Sequence, residues 1–74
     1  MARQFNYVVC LKNRGHRAAL ERRKIYRSVQ DALATEQGLI RVIDESGEDY
    51  LYPARLFMAV DLPQPVRSAL RRAG

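Results

Sequence analysis

Cysteine and histidine are the residue types from which a nucleophile and its base are built, and this chain has one of each, Cys10 and His16. Their placement argues against a pair. Cys10 falls inside an apolar strand pattern and His16 in the polar loop after it, so a buried structural thiol and an exposed loop imidazole are expected. A lone cysteine excludes an internal disulfide, and one Cys with one His is too small a ligand set for most metal sites. The carboxylates Asp44, Glu45, Glu48 and Asp49 crowd one short stretch. They lack the spacing of a calcium loop, and as loop neighbours they do not flank a substrate as a glycosidase acid and base do, so a solvated turn is expected. No catalytic residue, metal or cofactor is expected, and the chain is read as non-enzymatic.

The remaining chemistry is cationic. Of 13 basic residues 11 are Arg, whose planar fork suits carboxylate or phosphate. Charge is unevenly spread: residues 1–30 carry eight basic groups and one acid, 31–63 carry two and seven, and 64–74 carry three and none. Arg14, Arg17, Arg22, Arg23, Lys24 and Arg27 cluster on one loop and the strand that follows, making them the candidate contacts for an anion or nucleic acid. Tyr7, Tyr26, Tyr50 and Tyr52 would supply stacking surfaces beside them, as in barrels that bind single strands. The plainer reading is a solvated charged face, or pairing with the acidic middle within one chain or between two copies, which leaves room for a homodimer.

These side chains must be positioned by one domain, residues 1–74, which at this length buries only roughly 60% of the surface its unfolded chain exposes. Gly38 to Pro53 is its centre. Leu39, Ile40, Val42 and Ile43 form an apolar, β-branched run, Asp44-Glu45-Ser46-Gly47 has the chemistry of a tight turn, and Tyr50-Leu51-Tyr52 returns as a second strand that Pro53 ends. Phe5 to Lys12 and Lys24 to Val29 read as two earlier strands joined by a long polar loop that turns at Asn13-Arg14-Gly15 and is pinned inward by Leu20. Asp31 is placed to cap a helical turn over Ala32 to Gln37, and Gly38 to stop it. A 3₁₀ turn over Ala54, Arg55 and Leu56 and a last strand, Phe57 to Asp61, complete five strands. Pro65 suits the start of a short helix, about 65–72, with Val66, Ala69 and Leu70 on its apolar stripe and Arg67, Arg71 and Arg72 off it.

The strand phases predict a core of Val9, Leu11, Leu20, Ile25, Val29, Ile40, Val42, Leu51, Phe57 and Val60. No apolar run approaches the roughly 20 residues of a membrane span, and Met1-Ala2-Arg3-Gln4-Phe5 lacks the apolar core of a secretory signal, so a cytoplasmic protein is expected.

The element order resembles that of a mainly all-β, five-stranded Src-homology-3-like barrel (about 5–62) with one short helical turn and a short C-terminal helix. More narrowly, Arg23-Lys24-Ile25-Tyr26 followed by Arg41-Val42-Ile43-Asp44-Glu45-Ser46-Gly47-Glu48-Asp49-Tyr50-Leu51-Tyr52-Pro53-Ala54 resembles a family of small uncharacterised bacterial proteins, over about Tyr7 to Leu70. The resemblance implies the barrel and no activity. The wider barrel class takes proline-rich peptides with a tryptophan and a proline-x-x-tyrosine turn. This chain has no Trp, and Leu56 stands three places after Pro53. The first functional expectation is therefore a small binding module for a protein partner, with Tyr50, Tyr52, Val66 and Leu70 as contacts. The alternative is nucleic-acid binding through the arginine-rich loop and strand.

Overall fold

The computed structural model describes residues 5–73; the reading of residues 1–4 as lacking a signal core lies outside them, as do the side chains of Phe5, Arg71 and Arg72. In chain order the elements are β1 (Phe5–Cys10), β2 (Ile25–Val29), α1 (Ala32–Glu36), β3 (Leu39–Ile43), β4 (Asp49–Pro53), a 3₁₀ turn (Ala54–Leu56), β5 (Phe57–Val60) and α2 (Gln64–Ala73). The five strands form one antiparallel sheet in the order β4-β3-β2-β1-β5. β4 and β5 are its two edges, so the sheet is open. The expected mainly-β architecture with five strands and two short helices is present, and barrel closure is not.

Local chemistry accounts for the joints. The Asp31 carboxylate accepts from the Ala34 N–H at 3.1 Å and caps α1, while Gly38 leaves the helix at a φ of +73° that a side chain would resist. The β3–β4 hairpin turns at Gly47 (φ +84°), with the Gly47 N–H donating to the Asp44 carbonyl. α2 begins at Gln64, one residue before the proline expected to open it. The N–H groups of Val66 and Arg67 both donate to the Pro63 carbonyl.

The register divides the sheet into two faces. Val8 pairs with Tyr26 and Cys10 with Phe57, and these four meet Leu20, Val42, Tyr52 and Leu56 in the core. Tyr7, opposite Arg27, lies on the other face, where α2 covers it: the Tyr7 hydroxyl donates to the Arg67 carbonyl at 3.2 Å and the Arg67 guanidinium sits 4.9 Å from the Tyr7 ring centre. The terminal helix, too short to persist alone, is thus docked on the sheet.

Four of the ten predicted core residues, Leu20, Val29, Val42 and Phe57, are buried. Val9, Ile25, Ile40 and Val60 are half-buried, and Leu11 and Leu51 are exposed. Three strands, β1, β2 and β4, are phased by the sequence onto the wrong side: in β2 it is Tyr26, paired with Val8, that enters the core cluster, while Ile25 and Val29 lie on the opposite face. β1 pairs on both edges and is covered on both faces, so Tyr7 and Val8 are equally buried and alternation carries no signal there. In β4 the inward side chain is Tyr52, because its hydroxyl finds the Asp44 carboxylate and its ring can then enter the core with no orphaned polar atom.

Candidate nucleic-acid interface

Residues 11–24 connect β1 to β2 without regular structure, and backbone bonds hold them in one shape. The His16 N–H closes a turn onto the Asn13 carbonyl at 2.8 Å, with Gly15 at φ +83°, and the Ala19 and Leu20 N–H groups both reach the His16 carbonyl. The Asn13 side-chain amide donates to the Leu20 carbonyl at 3.0 Å. Leu20 is 1% exposed and fixes the loop to the core. His16, expected to be an exposed imidazole, instead packs edge-on to Tyr52 with 5.1 Å between ring centres. At the base of the loop the Arg23 N–H donates to the Cys10 carbonyl, with Arg23 held at φ +68°.

The 3₁₀ turn abuts the start of this loop, since the Leu11 and Lys12 N–H groups both donate to the Leu56 carbonyl. Between them lies a cleft of about 470 Å³ lined by Lys12, Asn13, Arg14, Arg17, Arg22, Arg55 and Leu56. Among the described residues five cations share this lining and no carboxylate enters it. All five are exposed, and among the described residues none makes an ion pair.

The six basic residues expected to act together are divided by the fold. Arg14, Arg17 and Arg22 enter the cleft; Arg23 is exposed outside its lining. Lys24 is gripped by Glu45, its Nζ 2.6 Å from Oε2, and Arg27 joins Tyr7, Ile25, Ile43 and Leu70 around a second hollow beneath α2. Lys12 and Arg55 were missed. Lys12 was legible as one more base flanking the loop, whereas Arg55 is remote in sequence and only the seating of the 3₁₀ turn on β1 brings it in. The four expected protein contacts do not share a surface: Tyr52 is 5% exposed in the core, Tyr50 lies beside it at the sheet edge, and Val66 and Leu70 ride α2 on the opposite side.

The acidic turn is knitted to tyrosines. The Tyr52, Tyr26 and Tyr50 hydroxyls donate to Asp44, Glu45 and Glu48 respectively, and the Tyr26 oxygen also accepts from the Glu21 N–H at 2.7 Å. Burial alone would raise the Asp44 carboxyl, but hydrogen bonds from Ser46 and Tyr52 outweigh it and hold the group below the ordinary range. The Lys24 and Tyr26 hydrogen bonds lower Glu45 likewise. Burial first, and the partner carboxylates second, push Tyr26 and Tyr52 well up. A raised folded value stabilises the protein below the ordinary tyrosine value near 10 and loses that contribution as pH rises through the folded one. The urea midpoint should therefore fall above pH ~10, and less steeply in Tyr26→Phe, which has nothing to ionise there. An equally steep fall in the variant would exclude the network as the cause.

Among the described residues no three His, Cys, Asp or Glu side chains gather around a metal-sized site, and no helix is long and apolar enough to cross a membrane. The fold and site thus define a small open-sheet β protein with a fixed, cation-lined loop cleft. No protein-family model, curated protein or solved structure matches the chain.

Proposed function

We propose that this protein is a small, non-enzymatic, cytoplasmic binding module of the Src-homology-3-like class that holds the phosphate backbone of a nucleic acid in its basic cleft. The observation that carries this reading is the gathering of Lys12, Arg14, Arg17, Arg22 and Arg55 around one cleft with no carboxylate among the described lining residues. Cations kept for solubility would be dispersed or paired; these converge, and four of them carry the fork that phosphate oxygens fit. The Src-homology-3-like class is supported, in a sheet that stays open, by the strand order together with the long β1–β2 loop, the tight β3–β4 hairpin and the 3₁₀ turn before β5.

The test is fluorescence anisotropy of labelled oligonucleotides at low and near-physiological salt, with Arg17→Ala/Arg22→Ala beside the wild type. Micromolar or tighter binding should persist at the higher salt. The double variant should lose on the order of 100-fold, about 1.5 kcal/mol for each charge-assisted contact, without a change in urea midpoint because both side chains are exposed. Lys24→Ala should bind nearly as wild type, its ammonium being committed to Glu45. Binding confined to low salt, or indifferent to the two arginines, would sink the proposal.

A protein partner is the second reading. Tyr50 and Leu51, 49% and 44% exposed, sit on β4, an edge strand of the sheet that the described residues form. An interface there would tolerate salt and ignore the loop arginines.

A further inference from the structure

We infer that the cleft takes duplex nucleic acid through its backbone in preference to a single strand, an inference that rests on the reading of the cleft as a nucleic-acid site. Proteins that hold single strands combine a basic groove with aromatic rings on which the bases stack, each stack contributing roughly tenfold in affinity. Here every described tyrosine is placed elsewhere. Tyr7 lies under α2 at 3% exposure, and Tyr26 and Tyr52 are each 5% exposed with their hydroxyls given to Glu45 and Asp44. Phe57 is buried in the core, and His16 is packed against Tyr52. Among the described residues the one exposed aromatic ring is Tyr50, on β4, hydrogen-bonded to Glu48 in the acidic turn that a phosphate chain would avoid.

Among the described residues the cleft lining contains no ring, only five cations, Asn13 and Leu56. Asn13 is also committed, since its side-chain amide holds the Leu20 carbonyl. With its four arginines engaged on phosphates, a lining of this composition offers no described ring on which a base could stack, so affinity follows the charge density of the ligand. A duplex presents one phosphate per roughly 1.7 Å of axis, already stiff, whereas a single strand is sparser and must be ordered without stacking to offset the loss.

The experiment is a competition anisotropy series with full-length protein: two duplexes of unrelated sequence and the single strands that compose them, over several salt concentrations. The duplexes should bind at least fivefold tighter than their strands and within about twofold of each other. If all five cations engage, the logarithmic salt slope should approach about −4.5, a loss of roughly 500-fold between 50 and 200 mM salt. Arg55→Ala should flatten the slope by about one, and Tyr50→Ala should leave both affinities within about twofold. Single strands binding as tightly as duplexes, or a loss on Tyr50→Ala, would overturn this inference while leaving the cleft as a nucleic-acid site. A sequence preference above tenfold would overturn the backbone-only mode. Failure of every oligonucleotide to bind at near-physiological salt would remove both the inference and the function it rests on.

Discussion

Leu20→Ala should cost about 3 kcal/mol and lower the melting temperature by on the order of 12–24 °C in a domain of this size. Leu20 is among the largest fully buried side chains, and it reaches the core from a loop with no strand or helix of its own. Truncation opens a cavity beside Val42, Cys10 and Tyr52, and it also removes the apolar anchor of the segment that carries Arg14, Arg17 and Arg22. Differential scanning calorimetry gives the stability, and amide exchange at Ala19 and Leu20, both bonded to the His16 carbonyl, gives the local opening. A melting temperature within about 3 °C of the wild type would mean that the loop is not held through this side chain.

Asp44→Ala should be nearly as damaging, at about 3 kcal/mol. The carboxylate is 7% exposed and accepts from the Ser46 N–H, the Ser46 hydroxyl and the Tyr52 hydroxyl. Its removal leaves the tyrosine O–H buried without an acceptor and strips the turn of its side-chain support. Tyr52→Phe in the same background should recover about 1–2 kcal/mol, because deleting both partners of a buried hydrogen bond costs less than deleting one. The folded carboxyl value is depressed, so its contribution is present above the unfolded value near 3.9 and is lost as pH falls through the folded one. Wild-type stability measured by urea titration should decline below pH ~4, and the Asp44→Ala profile should be flatter there. Additive effects of the two substitutions would show that the Asp44–Tyr52 contact is not what stabilises the turn.

Much of the path of the chain was legible because single residues with strong local preferences mark its joints. Gly15, Gly38 and Gly47 all take the left-handed backbone expected of them, Asp31 caps its helix, and Pro53 stands where β4 gives way to the 3₁₀ turn. Such preferences act over a few residues and survive in any fold. Leu20 was legible too, as the one large apolar residue in a polar loop. Which face of β1 turns inward was not, because Tyr7, Val8, Val9 and Cys10 are all apolar and the choice is made by β5 and α2, both far away in sequence, together with the seating of Leu20 from the loop. Tyr52 was set outside for want of a partner that only the folded turn supplies. At the cleft, Arg14, Arg17 and Arg22 could be read as a local run of charge, but neither the separation of Lys24 and Arg27 from them nor the arrival of Arg55 has a short-range signature.

The thiol of Cys10 is wholly enclosed, at 0% exposure, in the strand that pairs on both sides, and burial raises it above its ordinary ionisation range. A soluble alkylating reagent can reach that sulfur only when β1 parts from its neighbours or the loop above it lifts away. The chain's only cysteine is therefore a built-in clock: its labelling rate at neutral pH counts how often the centre of the sheet opens, and a ligand seated in the neighbouring cleft would slow it.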